Sequence, residues 1–505
     1  MQIRKFNDVT APLSPKTLEE WKELRKDIHE NLKFSTSIEL LKHDAPLDVH
    51  ILPVAEYDDI VIEKVMIQTL PGFYLGGNIY RPKDTTKKYP VVLCPHGHCR
   101  HGRIETTVYS KLVLLFANIA KRGMVAFSYD MIGYNDTSVV EHDGFNPENK
   151  EYEKYNYGRF SLQLNNGIKA LDFVSTLPYV DTERIGCTGS SGGGTQTFVL
   201  TAYDERVTAA APVNQVSGNF QGGCICENIV FLRTDYNNVD LTMMCAPRNL
   251  LVASSDGDWT VNSPEVEFPA IKNVYSLYGA EDKFEGYYRI APHCYETCTR
   301  EKAYEFFCKS FGIENKYGKE LEQELGFDWE ELVLRKKLLF GSEWSLEGKI
   351  KTEDELFELV KKLIAENLKK LTAEERENIT NRVFAIDKEF YFDIPYIINY
   401  KYGANESIYR IKTESKDMSI VMGKCPEKLE PPFVKYYHVY NFAEDTKRVN
   451  GIVKLFEKYP DAEFVAYGKA AALCEIAQKI TGKRNLKLTD VDASDIDIPG
   501  FALLS

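Results

Sequence analysis

The sequence predicts an α/β fold in which helices cover both faces of a mostly parallel sheet. Short, continuous apolar segments alternate with helical segments from about residue 90 to residue 311. Apolar strands without polar alternation are typical of parallel sheets that are buried on both faces. An apolar content of 44% with 12% aromatic residues suits a chain with a large core and excludes global disorder.

Two elements precede this alternating pattern. Residues 15–33 predict a helix, with Ser14 as its N-cap and Pro15 in its first turn. Residues 59–68 and 73–80 alternate in polarity as strands do, and the Pro-Gly pair between them predicts a hairpin.

The alternating region itself supplies the remaining strands and helices. Six further strands are predicted at residues 91–94, 125–129, 184–188, 209–213, 250–254 and 287–290. Helices are predicted between and after them at residues 110–121, 160–177, 193–202, 264–277 and 301–311. The polar, Tyr-rich segment 134–158 interrupts the rhythm, and we interpret it as a loop near a binding site.

Beyond the last of these helices the composition shifts towards Lys and Glu. Segments 319–339 and 352–380 predict helices, and we place a domain boundary at 325–345. The prediction is a first domain over 1–325 and a smaller C-terminal α/β domain over 340–505. The latter contains a predicted strand, helix and strand within residues 463–488.

Charge and composition exclude several classes of protein. The chain has 505 residues and a net charge of −13, so it does not attract nucleic acid by bulk charge. It lacks any stretch of about 18 uncharged apolar residues, and we therefore expect no membrane span. The first residues form no apolar leader and the 11 cysteines are scattered, so we expect a cytoplasmic protein with reduced thiols.

The clearest chemical motif follows the third of the parallel strands. Residues 189–193 are Gly-Ser-Ser-Gly-Gly and fit the G-x-S-x-G pattern between a predicted strand and a predicted helix. In that context a sharp turn exposes the serine above the sheet, and glycines flank it because larger neighbours do not fit. Ser191 is therefore the candidate nucleophile. The N–H of Gly192, at the helix start, is a candidate oxyanion donor.

A carboxylate and a histidine should follow such a nucleophile in that order along the chain. Asp258 comes just after the strand at 250–254 and is the candidate acid, with Asp256 as its competitor. His293 follows the strand at 287–290 and is the candidate base. A second oxyanion donor is expected in the His-Gly-His turn of residues 96–98, which presents the N–H of His98.

These motifs resemble the α/β-hydrolases of the acetyl xylan esterase and cephalosporin-C deacetylase kind, including large acetyl xylan esterase-like proteins. The resemblance covers about residues 15–315 and is carried by residues 69–82, 95–98, 186–197, 222–228, 256–260 and 291–293. It implies an α/β-hydrolase fold, with Ser191, Asp258 and His293 as nucleophile, acid and base. It also implies that the N–H groups of His98 and Gly192 form the oxyanion hole. Gly192 stands where the smaller deacetylases carry glutamine.

The expected function is a serine esterase that removes short acyl groups, such as acetyl, from carbohydrate esters and needs no cofactor or metal. Glu227, Asn228, Trp259 and Tyr134 are candidate substrate contacts, although Glu227 and Asn228 could instead order their loop. The expected partner is a small-molecule or oligosaccharide ester, and related deacetylases imply a homo-oligomer. Residues 467–472 follow a strand as an elbow would, but alanine stands at the nucleophile position. This C-terminal piece is similar to a degenerate hydrolase-like half, and an ordinary strand–helix turn in a small α/β domain is the alternative.

Three alternatives remain open at the level of sequence. The same three residues fit a serine peptidase or a hydrolase of small esters. A zinc metallohydrolase would use His96, His98 and His101, although Arg100 stands where that histidine signature needs an aspartate. A binding protein without catalysis is the third alternative, and the intact serine, acid and histidine order argues against it.

Overall fold

The protein, seen here in a computed structural model, is built around a nine-stranded sheet. The residues that the structure describes are 11–107, 110–142, 150–229, 231–232, 236–322, 325–328, 330–334, 336–341, 344, 348–384, 394–396, 407–412, 419–423, 444–458, 464–482, 486–489, 491, 493, 496, 498 and 501–504.

The strands of the nine-stranded sheet are β1 (His50–Glu56), β2 (Ile60–Leu70), β3 (Phe73–Pro82), β4 (Tyr89–Pro95), β5 (Val125–Tyr129), β6 (Val180–Ser190), β7 (Ala209–Val213), β8 (Asn249–Gly257) and β9 (Phe284–Pro292). The helices around it are α1 (Leu18–Thr36), α2 (Leu112–Lys121), α3 (Lys150–Lys154), α4 (Arg159–Thr176), α5 (Gly192–Tyr203), α6 (Asn238–Met243), α7 (Glu267–Leu277) and α8 (Thr297–Phe311).

The sheet is mixed, and its parallel part positions the candidate site. The spatial order is β1-β2-β3-β5-β4-β6-β7-β8-β9. Strands β1, β2 and β3 pair antiparallel, β3 is also antiparallel to β5, and all pairs from β5 through β4 to β9 are parallel. The carboxyl ends of the parallel strands therefore meet at one edge, where α/β folds place their ligand sites. The predicted hairpin, the parallel strands and the fold class are confirmed.

Helices cover both faces of the sheet, as the apolar strands predict. One buried cluster packs α1, α4, α5 and α7 against one face, and a second packs α2 and α8 against the other. Helix α1 begins three residues later than predicted. Thr17, and not Ser14, is its N-cap, and its hydroxyl accepts the N–H of Glu20 at 3.1 Å.

Strand β1 and the segment 319–339 also differ from the sequence prediction, and the short helices α3 and α6 are not predicted. Strand β1 is not predicted, because most of its side chains are at least partly exposed and it contains Pro53. The helix predicted at 319–339 is wrong for the described part of that segment, which contains one π-helical turn at Glu330–Leu334. Its apolar side chains, such as Leu321 and Leu338, instead pack as irregular chain on the second face of the sheet.

The C-terminal region contains helices α9 (Glu353–Leu368), α10 (Ala373–Val383), α11 (Glu444–Lys458) and α12 (Gly468–Thr481), and strands β10 (Ile394–Tyr396), β11 (Ser407–Lys412), β12 (Ser419–Gly423), β13 (Phe464–Tyr467) and β14 (Leu486–Thr489). Strands β13 and β14 are parallel and flank α12, as the pattern in residues 463–488 predicts. Strands β10 to β12 form a separate antiparallel sheet. Short 3-10 turns lie at Ile38–Leu41, Gly102–Ile104, Ile225–Glu227, Glu281–Lys283 and Phe501–Leu504.

Helix α9 packs directly on the first part of the chain. Arg159 of α4 makes an ion pair with Glu353 at 2.6 Å, and the Asn367 amide donates to the carbonyls of Leu40 and Lys42 at 2.8 Å each. Apolar side chains of α9 belong to the same buried cluster as α1 and α4. The two predicted domains therefore share a packed interface, and their boundary stays a prediction. No helix within the described ranges has the length and apolarity needed to cross a bilayer.

Candidate active site

Ser191 lies on the sharp turn between β6 and α5. Its backbone has φ 57° and ψ −124°, a conformation that L-residues rarely adopt and that strains the chain. Gly189 makes the turn possible, because a Cβ there would lie 2.3 Å from the Pro95 carbonyl oxygen. The Ser191 N–H donates to the Val213 carbonyl at 3.0 Å and ties the turn to β7. The G-x-S-x-G segment thus forms the strained turn that its pattern predicts.

His293 and Asp258 meet across the ends of β8 and β9. His293 Nδ1 lies 2.7 Å from Asp258 Oδ2. Because a carboxylate only accepts, Nδ1 carries the proton of the neutral ring and Nε2 keeps its lone pair. The His293 side chain is 30% exposed and the Asp258 side chain 1% exposed, so the base can reach a substrate while its partner stays buried.

Several donors hold the Asp258 carboxylate in place. Thr260 donates its N–H at 2.7 Å and its hydroxyl at 2.6 Å to Oδ1, and Ser255 and the Asn214 amide donate to Oδ2. Burial raises the pKa of Asp258, but the hydrogen bonds from His293, Thr260 and Asn214 outweigh it and leave the pKa below its ordinary value. The carboxylate is therefore ionised at neutral pH and can orient the imidazole.

Asp256, the competing candidate acid, lies two residues earlier, near the end of β8, and points elsewhere. Its Oδ1 accepts the N–H of Ala291 at 2.9 Å, and the residue is exposed. The geometry brings Asp258, and not Asp256, to His293.

Ser191 and His293 line one cavity of about 430 Å³ at the carboxyl edge of the parallel strands. His98 and Trp259 form part of its wall. The Trp259 ring lies 4.5 Å from the His293 ring and 4.1 Å from the Phe220 ring, measured between centroids. In the described part of the chain no hydrogen bond joins the Ser191 hydroxyl to His293. Catalytic hydrogen bonds are often long without substrate and tighten when it binds.

His96 is part of the scaffold beneath this cavity. Its Nε2 accepts the Met131 N–H at 2.9 Å, so its Nδ1 carries the proton and donates to the Gly97 carbonyl at 2.7 Å. Burial lowers the pKa of His96 to about 3, and the ring stays neutral. Both nitrogens are occupied, which leaves none for a metal. The alternative zinc site of His96, His98 and His101 is therefore wrong.

The His98 side chain lies against the start of α5. A Cβ at Gly192 would lie 2.9 Å from His98 Cε1 and 2.8 Å from Met131 Cε, so a larger residue would have to displace the His98 ring and the Met131 side chain. The N–H groups of the first helical turn have no partner within the helix. The loop that carries the His98 N–H thus packs on the helix start that carries the Gly192 N–H, as an oxyanion hole requires.

We expect Gly192→Ala to lower kcat/KM for p-nitrophenyl acetate by about 10-fold to 100-fold, because the added methyl group displaces His98 and one oxyanion donor. Gly318→Ala is the matched control, since a Cβ there meets no atom within 4 Å. Steady-state kinetics on both variants measure the difference. Equal activity of the two variants would show that the close packing of His98 on Gly192 does not matter for turnover.

Three of the four candidate substrate contacts hold loops and do not line the cavity. Glu227 accepts the Cys224 N–H at 3.0 Å and the Gln215 amide at 3.1 Å. Asn228 donates to the carbonyls of Gly222 and Cys224 at 3.2 and 3.1 Å. The Tyr134 ring contacts the rings of His96 and His142. Within the described residues, Trp259 is the candidate contact that lines the cavity.

The tyrosines of segment 134–158 pack on the C-terminal region. Tyr152, Tyr155 and Tyr157 contact the Phe357 ring of α9 at centroid distances of 4.6, 5.7 and 5.0 Å. They anchor the loop on the C-terminal helix, and none of the three lines the cavity. Residues 143–149 of the same predicted loop lie outside the described residues.

The sequence prediction misses two clusters of polar side chains beside the cavity. Arg103 is buried in ion pairs with Asp130 and Asp136. The second cluster brings together four ligand-type side chains, His98, His142, Cys224 and Cys226. In each cluster the members come from loops that are far apart in the sequence, so no single motif marks the whole cluster.

Comparisons with known proteins concern the family and the fold. Residues 18–225 match the model of the acetyl xylan esterase family. The solved structure of methylesterase BT1017 superposes with a TM-score of 0.55 at 26% identity, over 70% of this chain and 77% of that one. A glucuronoyl esterase from Solibacter usitatus is more distant, with a TM-score of 0.44 and 17% identity over 60% of this chain and 97% of its own.

A curated relative gives a shorter match. The protein YtaP of Bacillus subtilis (strain 168), a hydrolase by name, is 23% identical over 174 residues, which is 32% of this chain. The matched part spans 55% of that relative's length. The family resemblance predicted from the motifs is confirmed. Residues 18–225 thus resemble the acetyl xylan esterase family, and the fold is of the α/β-hydrolase kind.

Proposed function

We propose that the protein is a serine carboxylic-ester hydrolase that removes short acyl groups from carbohydrate esters through an acyl-enzyme. The observation that carries the proposal is the His293–Asp258 hydrogen bond at the rim of the cavity that Ser191 also lines. Three residues far apart in the sequence thus contribute to one site in the order that α/β-hydrolases use. The match of residues 18–225 to the acetyl xylan esterase family supports an ester substrate.

Each residue has a distinct role in the proposed reaction. His293 Nε2 takes the Ser191 proton as the serine oxygen attacks the ester carbonyl, and later gives that proton to the leaving alcohol. Asp258 keeps the proton on Nδ1 and stabilises the imidazolium that forms. Water then enters, and His293 takes its proton as the water oxygen attacks the acyl-enzyme carbonyl. The bond to the Ser191 oxygen breaks, His293 returns the proton to that oxygen, and the acyl group leaves as a carboxylic acid.

The N–H groups of His98 and Gly192 stabilise the negative charge that develops on the carbonyl oxygen. In comparable sites each donor of this kind lowers the activation free energy by about 3 kcal/mol. The strained turn at Ser191 serves the same end, because it fixes the hydroxyl and the first N–H groups of α5 before substrate arrives.

We expect Asp258→Asn to lower kcat by about 10⁴-fold, because an asparagine at this position favours the wrong imidazole tautomer. Asp256→Asn, two residues earlier near the end of β8, is the matched control, and its kcat should stay near the wild-type value. In the wild type kcat/KM should fall at acidic pH because the base must be neutral to take the serine proton, whereas the lowered pKa of Asp258 keeps that carboxylate ionised. A flat profile from about pH 5 to about pH 9 would contradict a histidine base.

A panel of substrates can identify which acyl group and which sugar the enzyme accepts. Acetylated xylo-oligosaccharides, p-nitrophenyl esters of increasing acyl length and peptide amides separate a carbohydrate deacetylase, a small-ester hydrolase and a peptidase. We expect the acetylated sugars to give the highest kcat/KM and the amides none. Faster hydrolysis of amides than of esters would overturn the proposed substrate class.

A second candidate is cleavage of a methyl ester of an acidic sugar. The similarity to a methylesterase at 26% identity favours it, and so does Arg100, an exposed cation on the cavity wall that could pair with a neighbouring sugar carboxylate. In that case Arg100→Gln lowers kcat/KM for methyl esters of acidic oligosaccharides and leaves neutral acetate esters unchanged. The cytoplasmic location and the homo-oligomer stay predictions.

A further inference from the structure

Four side chains of the kinds that bind metals meet beside the Ser191 cavity. His98, His142, Cys224 and Cys226 each offer one ligand atom, and these atoms all lie within 4.8 Å of one another. His98 Nε2 is 3.1 Å from Cys226 Sγ, and His142 Nε2 is 3.3 Å from Cys224 Sγ. In a tetrahedral zinc site, Zn–S bonds of about 2.3 Å and Zn–N bonds of about 2.0 Å put neighbouring ligand atoms roughly 3.3–3.8 Å apart. The two His–Cys pairs lie close to these distances, and all other pairs of ligand atoms are within 4.8 Å.

Other contacts fix the two imidazole rings in orientations that suit a metal. His142 Nδ1 donates to the Ile132 carbonyl at 2.7 Å, so Nε2, the nitrogen that faces the thiols, keeps its lone pair. A backbone carbonyl on the far nitrogen is the usual outer partner of a metal-bound histidine. The His98 ring packs against the His142 ring with centroids 5.1 Å apart and is supported from below by Gly192.

The loop that carries the two thiols is held from several sides. Glu227 accepts the Cys224 N–H at 3.0 Å, Asn228 donates to the Cys224 carbonyl at 3.1 Å, and the Gln163 amide donates to the Cys226 carbonyl at 3.2 Å. Cys224 is 7% exposed and Cys226 1% exposed. The thiol positions are therefore set by the protein before any ion binds.

We propose that His98, His142, Cys224 and Cys226 bind one structural zinc ion. Two thiolates and two imidazoles that converge on one point are a ligand set that zinc prefers. Each thiol loses its proton to solvent on binding, and the two thiolate charges neutralise the ion. Four protein ligands leave no open position for water, so the ion stabilises the loops and the serine carries the reaction.

The proposed site joins three loops at the carboxyl edge of the sheet. His98 follows β4, His142 follows β5, and the two cysteines follow β7. A zinc ion would cross-link these loops and fix the His98 loop on the helix start at Gly192. The ion would thus support the oxyanion hole without contacting substrate.

Metal analysis of the full-length chain, purified without chelator, tests the proposal. We expect inductively coupled plasma mass spectrometry to find one zinc ion per chain in the wild type and in Cys298→Ser, whose thiol is exposed and lies outside the cluster. Cys224→Ser and Cys226→Ser should lose the zinc. This readout does not depend on esterase activity, so failure of the proposed function would leave it intact.

Cobalt substitution keeps the test decisive if the cysteine variants do not fold. After zinc is removed from the wild type, added Co²⁺ should give the intense visible bands of a tetrahedral site and a thiolate charge-transfer band. His98→Asn should weaken these bands. Wild type that contains no zinc and gives no cobalt spectrum would overturn the proposal. A disulfide between Cys224 and Cys226 in protein alkylated without reductant would overturn it as well.

Discussion

Ser191→Ala is expected to abolish hydrolysis of p-nitrophenyl acetate while the protein stays folded. The substitution removes the only nucleophile of the proposed reaction, and loss of such a serine costs on the order of 10⁶ in kcat in a well-studied serine hydrolase. The Ser191 side chain makes no hydrogen bond to other described residues, so its removal should change stability by less than about 0.5 kcal/mol. Steady-state kinetics and a thermal melt on the same sample measure both effects.

Ser190→Ala is the matched control for this experiment. Ser190 also lines the cavity, one residue before the turn, and the proposed chemistry does not use its hydroxyl. We expect it to keep most of the wild-type activity. If Ser190→Ala loses activity and Ser191→Ala does not, the nucleophile has been assigned to the wrong residue of the pair.

Arg103→Met is expected to produce the largest loss of stability among single substitutions near the site. The Arg103 side chain is fully buried, and it pairs with Asp130 and Asp136 and donates to Asn78 at 2.7 Å. Methionine fills similar space but leaves two buried carboxylates without their cation. Breaking a buried ion pair from one side costs about 3–5 kcal/mol. Urea unfolding followed by circular dichroism measures the shift in midpoint.

The size of this loss should depend on pH. Burial raises the pKa of Asp130 to about 6 even with Arg103 present. A carboxyl whose folded pKa exceeds its unfolded value binds its proton more tightly when folded, so its contribution to stability falls as pH rises between the two values. Without Arg103 the pKa of Asp130 rises further. The gap in unfolding midpoint between wild type and Arg103→Met should therefore be wider at high pH than at low pH.

Arg206→Met is the control for this prediction. Its side chain is 39% exposed and pairs with Asp172 and Asp204, and exposed pairs contribute about 0–1 kcal/mol. A similar loss of stability in both variants would mean that burial of the Arg103 cluster does not matter.

The order of most strands and helices in the first domain could be predicted because buried strands and helices have recognisable patterns of apolar residues in the sequence. Strands covered on both faces are continuous apolar segments, and the nucleophile turn needs glycines at fixed offsets from Ser191. Strand β1 leaves no such signal, since most of its side chains are at least partly exposed. The segment 319–339 has a helical composition, yet tertiary packing of residues such as Leu338 against the sheet overrides that preference.

The candidate triad was accessible to sequence reasoning, but the surrounding clusters were not. A strand end followed by Asp or His is visible locally, although only coordinates separate Asp258 from Asp256. By contrast, His98 and Cys226 are 128 residues apart in the chain and meet only because the loops after β4 and β7 share one edge of the sheet. Arg103 and Asp130 come together in the same way. Such contacts depend on loop conformation, which hydrophobic periodicity does not encode.

The central claim is that Ser191 is an activated nucleophile, and covalent labelling tests it most directly. A fluorophosphonate probe reacts with a serine that has a histidine base and an oxyanion hole, and peptide mapping by mass spectrometry locates the adduct. We predict a single adduct on the peptide that contains Ser191 in the wild type, and none in Ser191→Ala. Equal labelling of both proteins, or an adduct on another serine, would contradict the account.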